Sequence, residues 1–358
     1  MKAAIISLGS TSSQWIAEAL KRCFDEVENL SLKDIEIEIG AQTGKGVLYK
    51  GKPLKQYDCV YAKGSFRYST LLRAITTQLK KTTYMPTEEQ AFTRAHDKLL
   101  THLKLQEHGV PMPKTYIVPS AESAKKLLKK VTYPIIIKMP SGTHGKGVMF
   151  ADSSESAITM IDTLALLKQP FLIQEYVETE GKDIRAFVVG EKVVAAMQRS
   201  AGKGDKRANL HSGGEGTPIF LEDPERKIAI QAAQAMQAEI CGVDMLKGPK
   251  GPLVIEINIS PGLQGITKAT KINIAEKIAS YLYKKTREFK GIKTKTVTEE
   301  LKELIPEENQ PEKELITTID FRGERILLPK LATTLSKIKE GEEIIINAKK
   351  GKIEVKKK

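Results

Sequence analysis

The sequence predicts a small parallel α/β unit, then a larger α+β body, then a small β-rich module. Three observations carry that reading. Strand and amphipathic-helix patterns alternate through residues 1–92. Hairpin patterns with glycine-rich turns dominate residues 93–286, and a charged stretch at 287–314 separates these from short strands at 315–358. A chain of 358 residues can hold two or three domains with a substantial core. Its 41% hydrophobic and 28% charged content exclude wholesale disorder. No apolar run reaches the roughly eighteen residues that a membrane helix needs.

The elements follow in order. "KAAIISLG" is too short for a signal peptide and reads as a first buried strand, followed by the amphipathic helix "STSSQWIAEALKRCF" with Ser13 or a neighbouring hydroxyl as its cap. "YDCVYAKG" and "YSTLLRAITTQLKK" repeat the strand–helix pattern, but "LGSTSSQW" has one glycine where a dinucleotide fingerprint needs three. "EEQAFTRAHDKLLTHLKLQEHGVPMPKTYIV" reads as one helix ending at Gly109, then prolines, then a strand. "SAESAKKLLKKV" is a capped helix, and "YPIIIKMPSGTHGKGVMF" is strand, glycine-rich loop, strand. "FLIQEYVE" and "DIRAFVVGEKVVAAMQRS" add strands, and "PERKIAIQAAQAMQAEIC" adds a helix.

The stretch "GVDMLKGPKGPLVIEIN" carries the sharpest chemical signal. Its two apolar runs around a Gly/Pro turn hold Asp244, Glu256 and Asn258, and burying a carboxylate without a partner is costly. With the turn centred on Lys250, Asp244 lies opposite Glu256, and Asn258 shares the Glu256 face. A one-residue slip would send Asp244 to the other side. Three hard oxygens on one face suit Mg²⁺, which shares its shell with waters and phosphates.

Such a site implies a nucleotide, and a phosphate cradle is present. No Walker A or kinase signature occurs. Lys138, however, ends a strand before "SGTHGKG", and the loop glycines, Gly145 and Gly147 among them, leave backbone N–H groups free to fold over phosphates. Gln174, Glu175, Tyr176 and Val177 form a hinge whose backbone can pair with an adenine edge, and Asp183 reaches a ribose hydroxyl in this reading. "RSAGKGDKRANLHSGGEG" gathers Arg199, Arg207, Asn209 and His211 in a loop suited to anionic groups. Cys23, Cys59 and Cys241 are odd in number and far apart, with no CxxC pair. They read as reduced thiols of a cytoplasmic protein. A net charge of +13 suits nucleotides, acidic proteins or nucleic acid.

Taken together, "RAHDKL", "IIIKMPSGTHGKGV", "LIQEYV", "GKDIRAFVVG", "DKRANLHSGG", "CGVDML" and "IEINISPGLQGI" resemble the ATP-grasp superfamily, and within it the RimK-type glutamate ligases. The resemblance runs from the first strand to about Tyr281. It implies a pre-ATP-grasp domain over 1–92, a central lid domain over 93–175 and a C-terminal ATP-grasp domain over 176–286. It places Lys98 and Lys138 on ATP phosphates, Glu175, Tyr176 and Val177 at the adenine, and Asp183 on the ribose side. Arg207 and Asn209 fall near the γ-phosphate, and Asp244, Glu256 and Asn258 hold two Mg²⁺ or Mn²⁺ ions.

The chemistry so implied is phosphorylation of a carboxylate by ATP, with Arg207 assisting, then attack by the α-amino group of glutamate on the acylphosphate. Arg199 and His211 are the candidates for acceptor contacts. Acceptors in keeping with the resemblance are an acidic protein C-terminus, a glutamylated cofactor or an amino-group carrier protein; a ligase for another amino acid is the alternative. The tail "ERILLPKLATTLSKIKEGEEIIINAKKGKIEV" resembles an AbrB-type module. It implies a homo-oligomer, a substrate-docking role or DNA binding, and with the last the minor alternative of a nucleotide-sensing regulator.

Overall fold

The apolar run behind Met1 forms β1 (Lys2–Ser7), buried at every residue but the first. The computed structural model describes residues 1–40, 46–140, 147–200, 215–292, 320–322, 325–327, 336, 338, 342–350 and 352–357. After β1 come α1 (Thr11–Leu20), β2 (Glu26–Ser31), β3 (Ile35–Ile37), β4 (Val47–Tyr49), β5 (Lys52–Pro53), β6 (Cys59–Ala62) and α2 (Ser69–Leu79). β1 lies between β2 and β6 and runs parallel to both, while β3, β4 and β5 form a small antiparallel sheet that the sequence patterns did not indicate. Ser10, not Ser13, caps α1: its side chain accepts from the Ser13 N–H.

The single helix expected before Gly109 is two, α3 (Glu89–Arg94) and α4 (Lys98–Glu107). Asp97 is the reason. Its side chain accepts from the Leu100 N–H at 3.0 Å and starts a new helix there, so Lys98 sits in the first turn of α4. Next come β7 (Thr115–Ile117), α5 (Ala121–Leu128), β8 (Ile135–Lys138), β9 (Val148–Ala151), α6 (Ser154–Leu166) and β10 (Leu172–Glu175). The sheet runs β7-β10-β8-β9, all antiparallel. Ile135, Ile137 and Ile173 pack one face on Leu128 of α5 and Ile161 of α6. Strand alternation turns Lys138 and Gln174 to the other face. The sequence reading passed over α6, which starts from a Ser153–Ser156 capping box.

β11 (Lys182–Val189), β12 (Lys192–Ser200), β13 (Glu215–Pro218), α7 (Asp223–Ala235), β14 (Ile240–Gly248), β15 (Gly251–Asn258), α8 (Gln264–Thr270) and α9 (Ile274–Phe289) complete this unit. The antiparallel sheet is ordered β13-β12-β11-β14-β15. Ala186, Val188, Val243 and Met245 meet the alanine face of α7, and Phe187 and Val189 meet Ile278 and Leu282 of α9. Each buried Val, Met, Phe, Ile or Leu among these contributes about 1.5–3 kcal/mol. α9 runs to Phe289, past the residue where a linker was expected to begin.

Chain contacts divide the protein into Met1–Ile292 and Lys293–Lys358. Among the described residues of the second unit, β16 (Asp320–Arg322) pairs with β17 (Arg325–Leu327) and β18 (Ile344–Lys349) with β19 (Lys352–Lys357). The short helix expected at "KLATTLSKI" lies outside the described residues apart from Ser336 and Ile338. No helix among the described residues is long and apolar enough to cross a membrane.

Candidate active site

The β14–β15 hairpin turns between Pro249 and Lys250, not on Lys250, since Gly248 pairs with Gly251. With that turn alone Asp244 would face Ile255, and the acidic pair would be split. A bulge between Asp244 and Met245 corrects the register, because β15 contributes one extra residue there: Met245 pairs with Val254, whereas Asp244 pairs with Glu256 and Gly242 with Asn258. The expected juxtaposition is present, and a bulge produces it.

On the same face the register carries the row across the sheet. Arg185 of β11 lies opposite Asp244, and Asp183 lies opposite Arg199 of β12. Arg185 grips both Asp244 oxygens, one through Nε and the other through Nη2 at 2.7 Å. Arg199 donates to Asp183 through Nε and Nη2, both at 2.6 Å, and Nη2 lies 2.9 Å from Asp244 Oδ2. Asp183, Arg199 and Asp244 are all buried. Burial opposes the Asp244 charge, yet the two guanidinium groups prevail and hold its carboxyl below the usual range. Gly242 is needed here: a Cβ would stand 2.8 Å from Arg185 Nη1.

Glu256 differs from its neighbours in being exposed, with no hydrogen bond or ion pair among the described residues. It lines a cleft with Phe66, Lys98, Thr101 and His102, and with His96, whose Nε2 is buried and lacks a partner in the described structure. Lys138 faces the same charge. Burial pushes its ammonium down to about 8, partly offset by Glu256, and burial lowers Lys98 with the same opposing influence. An orphaned imidazole nitrogen, an unpaired carboxylate and two desolvated lysines fit a phosphate-bound Mg²⁺. No three His, Cys, Asp or Glu groups form a protein cage among the described residues, and Mg²⁺ with phosphates needs none.

Several expected residues have other surroundings. Gln174, assigned to the adenine hinge, is buried, and its side-chain Oε1 accepts from Lys138 Nζ at 2.6 Å. Glu175 accepts from the Lys114 N–H at 2.8 Å, while Tyr176 meets the Phe150 ring edge-on at 5.2 Å and Val177 lies two residues past the end of β10. Asp183, expected at a ribose, accepts at both oxygens from Arg199. Arg199, expected at an acceptor, is enclosed between Asp183 and Asp244. Gly147 closes the β8–β9 loop at φ +77°, its carbonyl accepting from the Met139 N–H at 2.9 Å. Gly145, Arg207, Asn209 and His211 lie outside the described residues. Sequence reasoning missed Arg185 and His102. The "DIR" spacing holds the signal for Arg185, since residues two apart on a strand share a face.

The depressed Lys138 group predicts a proton signature. The ammonium that binds phosphate is lost as pH rises through about 8 in the free protein, and a bound phosphate raises its pKa again. Calorimetry of ATP binding at pH 8.5 in buffers of different ionisation enthalpy should show net proton uptake. Zero uptake would contradict this account of Lys138.

The fold is that of the ATP-grasp ligases. The structure of the ATP-grasp ligase PsnB complexed with a phosphomimetic variant of its minimal precursor, Mg and ADP superposes with a TM-score of 0.64. It is 17% identical and the match covers 80% of this chain and 98% of that one. The RimK-like ATP-grasp domain family matches residues 95–282, and the chain belongs to that family of ATP-dependent ligases. A Legionella pneumophila relative named "Probable alpha-L-glutamate ligase" is 42% identical over 243 residues, 66% of this chain and 80% of the relative. A Cellvibrio japonicus protein of the same name is 37% identical over 287 residues, 79% of this chain and 95% of its own.

Proposed function

We propose that the protein joins the α-amino group of L-glutamate to a carboxylate on an acidic protein C-terminus or a glutamylated cofactor. The observation that carries the ligase site is Glu256, unpaired on the bulged hairpin, sharing a cleft with Lys98 and acting electrostatically on both Lys98 and Lys138. The choice of glutamate draws on the relatives' name. Bound ATP with Mg²⁺ or Mn²⁺, two ions in this reading, supplies the phosphoryl group that activates the acceptor as an acylphosphate.

The chain's own residues divide the work. Lys98 and Lys138 bind phosphate oxygens. Glu256 presents free carboxylate oxygens. Asn258, whose Oδ1 also accepts from the Ser260 N–H, and Asp244, whose carboxylate Arg185 and Arg199 hold in place, are assigned to the same cations through their remaining lone pairs. The backbone from Glu175, the last residue of β10, to Val177 beyond it is assigned to the adenine. Arg207 and Asn209 are assigned to the γ-phosphate and His211 to the acceptor. Asp183 is assigned to holding Arg199 rather than to a ribose. A homo-oligomer through the tail is supported by Ile344, Ile345, Ile346 and Ile353 of the β18–β19 hairpin, each at least 40% exposed.

The test is ADP formation by the full chain in host lysate stripped of free amino acids, with one amino acid restored at a time. Glutamate should drive turnover at least about tenfold faster than aspartate, glutamine or lysine. Equal rates with another amino acid would move the protein to the rival reading, a ligase of different amine specificity.

A further inference from the structure

Behind Lys138 the polar side chains form one directed chain of hydrogen bonds. His102 Nδ1 faces the carbonyl oxygen of Lys98, one turn earlier on α4. A carbonyl only accepts, so Nδ1 carries the proton and Nε2 keeps its lone pair. Gln174 Nε2 lies 3.2 Å from that lone pair and 2.7 Å from Thr115 Oγ1, whose hydroxyl donates to the Pro113 carbonyl at 2.9 Å. Both amide hydrogens of Gln174 are thereby committed, and its oxygen accepts from Lys138 Nζ at 2.6 Å. A flipped amide would set an NH₂ group against the ammonium and an oxygen against the bare Nε2. Gln174 is 3% exposed and His102 6%, so the orientation is fixed inside the protein.

We propose that His102 is a positioning residue for Lys138: through Gln174, its unprotonated Nε2 fixes the amide orientation that holds the ammonium where nucleotide phosphates bind. This rests on the reading of Lys138 as a phosphate contact. Protonation at Nε2 would turn the acceptor into a donor facing another donor, and would add a third positive charge beside Lys98 and Lys138. Burial holds His102 below the usual histidine range; the Lys98 carbonyl opposes this, and the Lys138 and Lys98 charges reinforce it. The remaining titratable groups at this cleft are Glu256 on β15 and His96 ahead of α4, itself held low by burial. The chain is therefore intact at neutral pH and breaks on acidification below the ordinary histidine range.

The test compares the wild-type full chain with His102→Leu, His102→Gln and Lys138→Met, reading KM for ATP, KM for the amine substrate and kcat against pH. His102→Leu should raise KM for ATP about tenfold while KM for the amine stays unchanged, the size expected for a lost link to a charged group. His102→Gln puts an amide oxygen near the Nε2 position. It should recover most of the affinity and abolish the acid-side loss. If Lys138→Met weakens ATP binding but His102→Leu leaves it within about twofold, the positioning role is overturned and the phosphate reading stands. A His102→Gln variant that keeps the acid-side loss also overturns it. If Lys138→Met itself leaves ATP affinity unchanged, the phosphate reading fails and takes this inference with it.

Discussion

Replacing Glu256 by Gln is expected to lower ATP turnover by about 100- to 1,000-fold or more, because a fixed charge that stabilises a transferring phosphoryl group through its cation is lost. The same variant should melt within about 0.5 kcal/mol of the wild type, as for surface substitutions without partners. Glu256 is exposed and bonded to no described residue, so the substitution removes no hydrogen bond or ion pair from the folded protein, only a longer-range influence on Lys98 and Lys138. Phosphate release and a thermal melt on one preparation check both halves. Unchanged turnover would contradict the placement of the cations on this hairpin.

Arg199→Met should act in the opposite way, on stability before chemistry. The guanidinium is enclosed by Asp183 and Asp244, and its removal leaves the buried Asp183 without its hydrogen-bonded counter-charge, with only the more distant Arg185 remaining. Breaking a buried pair from one side costs about 3–5 kcal/mol, which in a domain of this size lowers Tm by roughly 10 °C. The deficit should shrink as pH falls. Burial already pushes the Asp183 carboxyl up to about 6 with Arg199 in place, and losing Arg199 raises it further, so the variant's folded state takes up the proton at higher pH and regains stability on acidification. The double variant Asp183→Leu/Arg199→Met should regain most of the loss, since no buried charge is then left alone at that position. Calorimetric melts at pH 5 and pH 7.5 decide it, and an Arg199→Met variant as stable as the wild type would contradict the buried network.

The parts of this site that a sequence shows are those set by local periodicity. Strand alternation put Glu256 and Asn258 on one face, and Gly and Pro marked the hairpin turn. The bulge beside Asp244 was not legible, because a period of two carries no record of an extra residue; the centring assumed for the turn reached the right pair by a different route. The partners of Asp244 were hidden for another reason. Arg185 and Arg199 come from strands far along the chain, and only the sheet order β12-β11-β14-β15 sets them beside it. The break before Lys98 was legible in principle, since Asp97 precedes an apolar helical pattern, but the surrounding helix formers mask it. Gln174 shows the same limit. Its side chain turns inward because Thr115 and His102, from two separate elements, complete its hydrogen bonds.

The measurement closest to the central claim is incorporation of labelled glutamate into host lysate by the purified protein with Mg-ATP, the lysate being separated into macromolecular and small-molecule fractions, beside Glu256→Gln. The account predicts stable, amide-linked label that requires ATP and disappears in the variant. Label on protein would identify a protein acceptor, and label on a small molecule a cofactor. Label that forms without ATP, or persists in Glu256→Gln, would contradict it.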